Sequence, residues 1–301
     1  MQNKIFYKGI FYTCLASLFW GIPQPLFFNE LKFVPAIEVA FHRGLWSFIF
    51  LLIVIILLGR IKDFFEIFFS YRKLLVLSFT GILISINWTG FIMAVNFNRV
   101  QDASMGYYLT PLISIGLGYF FLNEKISSLK LLSVIIMSSS IIYLIFTLNT
   151  IPFLAMLIGT TWGIYGLLRK QINVSPEIGL LYESGFITLI AAPYLIYLNF
   201  YELGFFLNDS FKTSNLLILT GVVTIFPLFF FNLGVKFIPL SFAGVIFYLA
   251  PTFHFFTSVF ILNEPLATSK LISFVIIWIA VIIFIFDIIR EDKKINVSNI
   301  Q

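Results

Sequence analysis

The sequence predicts an all-α polytopic membrane protein of ten transmembrane helices, arranged as two inverted five-helix repeats. Three observations carry that prediction. The 301 residues are 60% hydrophobic and only 11% charged, where a soluble domain averages roughly a quarter charged residues. The apolar runs are long enough to cross a bilayer, which takes about 20 residues. And one half of the chain repeats the other. Tyr108-Leu109-x-Pro111, Leu122-Asn123-Glu124 and Lys130-Leu131 return 140 positions later as Tyr248-Leu249-x-Pro251, Leu262-Asn263-Glu264 and Lys270-Leu271. Gly81, Phe91, Val95, Phe97 and Ala103 return as Gly221, Phe231, Val235, Phe237 and Ala243, and Trp20-Gly21-Ile22 as Trp162-Gly163-Ile164.

The spans are expected near 8–28, 35–58, 74–95, 103–122, 129–148, 152–169, 177–199, 216–236, 241–262 and 270–289. Backbone polar groups go unsatisfied in lipid, so a span is a helix or a barrel strand, and runs this long and continuously apolar are helices. Residues 8–148 form the first repeat, 152–289 the second, and 290–301 a cytoplasmic tail. Five spans per repeat is an odd number, so the second repeat lies upside down relative to the first, an arrangement found in secondary transporters.

Orientation follows from the Lys and Arg residues. With both termini in the cytoplasm, Lys4, Lys8, Arg60, Lys62, Arg72, Lys73, Lys125, Lys130, Arg169, Lys170, Lys236, Arg290, Lys293 and Lys294 face inward. Only Lys32, Arg99, Lys212 and Lys270 face outward, and Arg43 stands within a span. The net charge of +5 is this loop bias rather than a nucleic-acid surface. The first span lacks a cleavage site and is read as a retained anchor. A single cysteine, Cys14, and two histidines on different spans offer no metal-ligand pattern, and no phosphate-binding loop is present. No cofactor is expected.

Polar residues inside the spans are costly and face a cavity or a partner. Span 2 carries Glu38 and His42, four apart on one face, and Arg43. The repeat twin of Arg43 is Glu183 on span 7, and inversion sets the two toward opposite faces rather than in contact. Burial favours the neutral acid at Glu183, which has no cation within its own helical turn, so Glu183 is the first candidate for a coupling proton, followed by Glu38 with His42. Arg43 holds its charge too firmly to cycle a proton and suits an anion or a carbonyl. Local pairing or snorkelling is the competing role for each group.

Spans 4 and 9 carry Tyr108, Pro111, Ser114 and Tyr248, Pro251, His254 at three-residue spacing, with Tyr107 and Phe247 beside them. Prolines at matching positions of two halves kink helices around a site. Spans 1 and 6 carry Ser17-x-x-x-Gly21 and Gly159-x-x-x-Gly163, which let backbones approach closely. Trp20 and Trp162 lie beside them, and Pro23 and Pro25 break span 1. Asn87-Trp88 on span 3 and Asn232 on span 8 complete the polar set, although an Asn in a span also serves to bridge helices. One pocket near the midplane is therefore expected to be lined by Asn87, Trp88, Tyr108, Tyr248 and His254, walled by Trp20 and Trp162, with Arg43, Tyr107 and Asn232 as further candidates. Its aromatic lining suits an amphipathic or aromatic solute better than a sugar. Spans 5 and 10 are read as peripheral or as the contact of a homodimer. Asn123 and Asn263 fit left-handed helix stops, and Glu124 and Glu264 stand before the next helix, where an anion is favoured.

Several of these residues also carry a resemblance. Trp20-Gly21, Glu38, His42-Arg43-x-x-Trp46-Ser47, Asn87-Trp88, Ala94-Val95-Asn96, Ala103-Ser104-x-Gly106-Tyr107, Pro111, Tyr165-Gly166-Leu167, Arg169-Lys170, Glu183, Val223-Thr224, Pro227-Leu228, Pro251-Thr252 and Glu264 resemble the drug/metabolite transporter superfamily, with two EamA-type domains, and within it the RarD group. His254 has no counterpart in that pattern. The resemblance implies a permease of the bacterial inner membrane for small organic solutes, with a central cavity among spans 3, 4, 8 and 9 and spans 1 and 6 beside it. The alternative is a polytopic membrane enzyme or a non-transporting scaffold; an enzyme would carry clustered His or acidic ligands at one membrane face, and the sequence shows none.

Overall fold

The computed structural model describes residues 2–97, 100–148, 153–263, 265 and 268–298, with side chains at all of these except 2, 3, 100–105, 148, 289 and 291–298. The described residues form helices and connecting loops, with no strand among them. Eight helical segments are long and apolar enough to cross a membrane. The first is α1 (Gln2–Gly21) with α2 (Pro23–Asn29), counted as one run over Lys4–Asn29. The others include α3 (Ala36–Leu57), α5 (Tyr71–Asn96), α7 (Ser128–Leu148), α9 (Pro176–Phe200), α10 (Phe211–Gly234) and α13 (Thr268–Ser298), the last running on into the expected tail. The eighth combines α11 (Leu240–Phe247), α12 (Leu249–Phe256) and a π-turn at Thr257–Ile261. α6 (Val100–Leu122) contributes a shorter apolar helix over Gly106–Leu122, and α8 (Phe153–Gln171), ending on Arg169 and Lys170, falls outside the count. A short helix that the sequence reading omits, α4 (Ile61–Phe68), turns Phe64 and Phe68 toward Tyr182.

The helix breaks follow local chemistry. Pro23 sits at the start of α2, where its missing N–H costs nothing, and divides the first span. Pro251 cannot donate to the Phe247 carbonyl, and the helix breaks between α11 and α12 beside it. Pro111 likewise frees the Tyr107 carbonyl, yet α6 runs on without interruption. Asn123 and Asn263 end their helices with φ of 53° and 56°, the left-handed conformation that Asn tolerates. Glu124 departs from its expected place: its carboxylate accepts from the Leu240 and Ser241 amides at 2.7 and 3.0 Å. It therefore caps α11, in the other half of the chain, rather than the helix that follows it. Glu264 lies outside the described residues.

The packing pairs each half with the other. α3 lies against α9 and α10, and α5 against α9 and α8. α1 packs on α10, α11 and α12, while α8 packs on α6 and α5, and α7 packs on α13. Exchanging every helix for its repeat twin reproduces this pattern of neighbours. The small-residue sites make close approaches: a Cβ on Gly159 would come within 2.6 Å of the Gly106 carbonyl, and one on Gly21 would meet Phe253. The α7–α13 pair is tied by Ser140, which donates to the Ser273 carbonyl at 3.0 Å.

Candidate functional site

A small cavity opens where the two halves meet, lined by Trp20, Gln24, Arg43, Asn87, Trp88, Phe91, Tyr107, Trp162, Phe247 and His254. These come from α1, α2, α3, α5, α6, α8, α11 and α12. The space is about 20 Å³, room for about one water. An organic solute enters only if the surrounding helices part. A larger groove of about 590 Å³ lies among α1, α11, α12 and α13, but its lining of Phe, Ile, Val and Leu offers few polar groups to orient a solute.

Aromatic rings build the wall. Trp20 and Trp162 meet edge to face with centroids 5.0 Å apart, and Phe247 stacks on Trp162 at 5.5 Å. His254 stacks on Phe91 at 5.5 Å. Asn87 is committed to the scaffold: its amide donates to the Ile158 carbonyl at 2.9 Å and its oxygen accepts from Tyr107 at 3.3 Å.

Arg43 is the charged member of this lining. It is 2% exposed. Its Nε donates to Thr224 Oγ1 at 3.0 Å, and its guanidinium carbon stands 4.6 Å from the ring centres of both Phe28 and Trp88. Among the described residues Nη1 has no hydrogen-bond partner, and neither does Trp162 Nε1. The Trp20 backbone comes near the buried His254 ring, but neither ring nitrogen has a partner in hydrogen-bonding geometry.

A second polar cluster lies beyond the aromatic wall. Glu183 accepts from Thr80 at 2.7 Å and from Tyr165 at 3.2 Å, and its Oε1 stands 3.6 Å from Arg169 Nε. Asn232 donates to Tyr165 at 2.7 Å and accepts from Arg169 at 3.3 Å. The Tyr165 ring stacks on Trp162 at 5.2 Å and so joins this cluster to the cavity wall.

Of the expected set, Trp20, Arg43, Asn87, Trp88, Tyr107, Trp162 and His254 line this cavity, and the others lie elsewhere. Tyr108 and Tyr248 do not line the cavity. They pack on each other with centroids 5.8 Å apart, among residues of α7 and α13 such as Met137 and Phe274, and Tyr248 donates to the Tyr108 carbonyl at 3.1 Å. Adjacent helical residues are about 100° apart, so Tyr107 and Phe247 turn inward where Tyr108 and Tyr248 turn away. Asn232 belongs to the Glu183 cluster. Glu183 has a cation after all: Arg169 reaches it from α8, invisible to a reading confined to one helical turn. Arg169 itself is 1% exposed rather than a loop charge. Glu38 and His42 have separate hydrogen-bond partners. Glu38 accepts from the Phe205 amide at 2.7 Å, while His42 Nδ1 accepts from Trp46 at 3.1 Å. Arg43 and Glu183 keep separate partners.

Gln24, Phe28 and Thr80 join the two clusters without having been named, while Tyr165 and Thr224 had been named only within the family resemblance. Phe91 and Phe247 were legible as repeat positions or as neighbours of a predicted tyrosine. Gln24 between Pro23 and Pro25 was a polar residue in a broken span, the one signal that could have marked it.

At one end of the bundle, Arg60 pairs with Asp63 at 2.6 Å and with Glu177, tying the α3–α4 junction to the start of α9. Lys236 donates to the Val174 carbonyl beside it, and burial, with the Arg169 charge second, holds its ammonium below its usual range.

Comparison with known proteins gives this architecture a family. Residues 7–146 and 149–286 each match the EamA-like transporter family. A Bacillus subtilis protein described as "uncharacterized transporter YojE" is 36% identical, with 96% of this chain and 97% of that one covered. RarD of Escherichia coli is 30% identical over 98% of this chain and 99% of its own. A solved crystal structure superposes with a TM-score of 0.65 at 13% identity, covering 91% of this chain and 96% of that one, a likeness of fold alone. The chain belongs to the EamA-like transporter family, in its RarD group, and is a multi-pass membrane transporter.

Proposed function

We propose that this member of the EamA-like transporter family is a secondary transporter. It moves a small organic solute across the bacterial inner membrane by opening the Arg43 cavity alternately to either side. In this reading ten spans form two inverted repeats, 8–148 and 152–289, with both termini cytoplasmic. α6 and α8 supply the two spans beyond the eight segments that qualify by length and apolarity. The odd number of spans per repeat and the exchange symmetry of the helix neighbours support inversion, and the asymmetry of Lys and Arg supports the orientation.

The observation that carries the proposal is the cavity itself. It is enclosed by helices of both halves, is about 20 Å³ in volume, and presents buried polar atoms without partners among the described residues. Inverted repeats allow two nearly equivalent packings, each opening that space to one face. The solute contacts are Trp20, Arg43, Trp88, Tyr107, Trp162 and His254, with Asn87 holding Tyr107 in place. Glu183 carries the coupling proton with Arg169 as its resident counter-charge. A thermal-shift screen over amino acids, nucleosides, organic acids and drugs, followed by flux of the hits in proteoliposomes, tests the proposal. Saturable flux above protein-free liposomes supports it. Binding without flux for every hit leaves a scaffold or an enzyme.

A further inference from the structure

Among the described residues the cavity holds a buried cation and no acid. Arg169, equally buried, has Glu183 at 3.6 Å, whereas Arg43 has no carboxylate within 4 Å among the described residues. Its Nε is taken by Thr224, its flanks by the rings of Phe28 and Trp88, and Nη1 is left over. A guanidinium this deep is costly in the absence of a counter-anion, and cation–π contacts offset only part of that cost. Removing one partner from a buried pair is far worse than never burying the pair, so a lone Arg in a solute cavity marks the place where the solute brings the missing charge.

The rest of the lining narrows the class. Among the described residues Trp162 Nε1 is a second donor without a partner, and Gln24, 4% exposed, also lines the space. Among the described residues no Asp or Glu lines the cavity, so an ammonium group would find no counter-charge from them. The walls are Trp20, Trp88, Phe91, Tyr107 and Phe247, flat surfaces for a ring or a short apolar body. A planar guanidinium suits the two oxygens of a carboxylate.

We infer that the transported solute is a small organic monoanion, an aromatic or branched apolar carboxylate whose carboxylate is bound by Arg43. Zwitterions and cations are discriminated against. This rests on the transporter reading above and adds the charge of its cargo.

The test compares three probes of one shape on purified protein in nanodiscs by calorimetry: phenylacetate, its neutral amide phenylacetamide, and the cation phenethylammonium. Phenylacetate is expected to bind at least about tenfold more tightly than the amide, the scale of one hydrogen bond to a charged group. Phenethylammonium is expected to bind most weakly. Arg43→Gln should bring anion and amide within about twofold, while Arg43→Lys should retain part of the preference. The wild-type comparison needs no variant, so misfolding of Arg43→Gln does not shield the inference. Equal or tighter binding of the amide or the cation overturns it, as does an anion preference that survives in folded Arg43→Gln. Counterflow in proteoliposomes separates the two levels. Flux of neutral or cationic solutes without anion preference overturns this inference and leaves transport standing. Arg43-dependent binding of phenylacetate with no flux of any solute overturns transport and leaves the anion site.

Discussion

Replacing Glu183 by Gln removes one charge from a pair whose side chains are 1% and 2% exposed and whose nearest atoms are 3.6 Å apart. At an effective dielectric of about 20, two unit charges at that separation attract by about 5 kcal/mol. The Gln oxygen still accepts from Thr80 or Tyr165, so part of the hydrogen bonding survives. What remains, among the described residues, is Arg169 buried with Asn232 and the Pro176 carbonyl as hydrogen-bond partners. Breaking a buried pair from one side costs about 3–5 kcal/mol, and that is the expected loss for Glu183→Gln. Removing both charges together, in Glu183→Gln with Arg169→Met, should recover most of it, because a buried pair replaced by apolar groups is often close to neutral. The assay is equilibrium unfolding of the purified protein in detergent, with all four members of the double-mutant cycle on the same scale. A single Glu183→Gln variant within about 1 kcal/mol of wild type would refute the ion-pair reading, since the carboxyl would then already be neutral beside Arg169.

Three other substitutions probe separate parts of the account. The coupling role of Glu183 predicts that folded Glu183→Gln loses uptake driven by a pH gradient while exchange of solute across the membrane persists; unchanged pH dependence in proteoliposomes removes Glu183 from coupling. Glu124→Ala frees the Leu240 and Ser241 amides and should cost about 2–3 kcal/mol, read as faster hydrogen exchange at those two positions, with Glu124→Gln between it and wild type. Asn123, at φ 53°, should tolerate Gly with little change in melting temperature but lose about 1–2 kcal/mol on conversion to Ala.

Periodicity and repetition made the helices legible, because hydrophobic length and a 140-residue echo are properties of the chain alone. The left-handed stops at Asn123 and Asn263 were likewise readable, since few residues other than Gly and Asn fit there. The cavity was legible only in part. Arg43, Trp88, Trp162 and His254 stood out as polar or aromatic groups at membrane depth. Which of two adjacent aromatics faces inward depends on how helices are rotated against one another, and that turned Tyr108 and Tyr248 outward while Tyr107 and Phe247 turned in. Long-range pairings escaped for the same reason. Nothing local to Glu183 announces Arg169, and nothing local to Glu124 announces the start of α11.

The central claim is that one cavity serves both faces of the membrane, and accessibility at His254 tests it without knowledge of the solute. Cys14 is the single cysteine, so Cys14→Ser supplies a thiol-free background into which His254→Cys places one reporter in the cavity. A membrane-impermeant thiol reagent is applied to right-side-out and to inverted vesicles whose bilayers stay tight to ions. Alternating access predicts that the reporter is modified from both sides. Modification from one side only, or from neither, would contradict it.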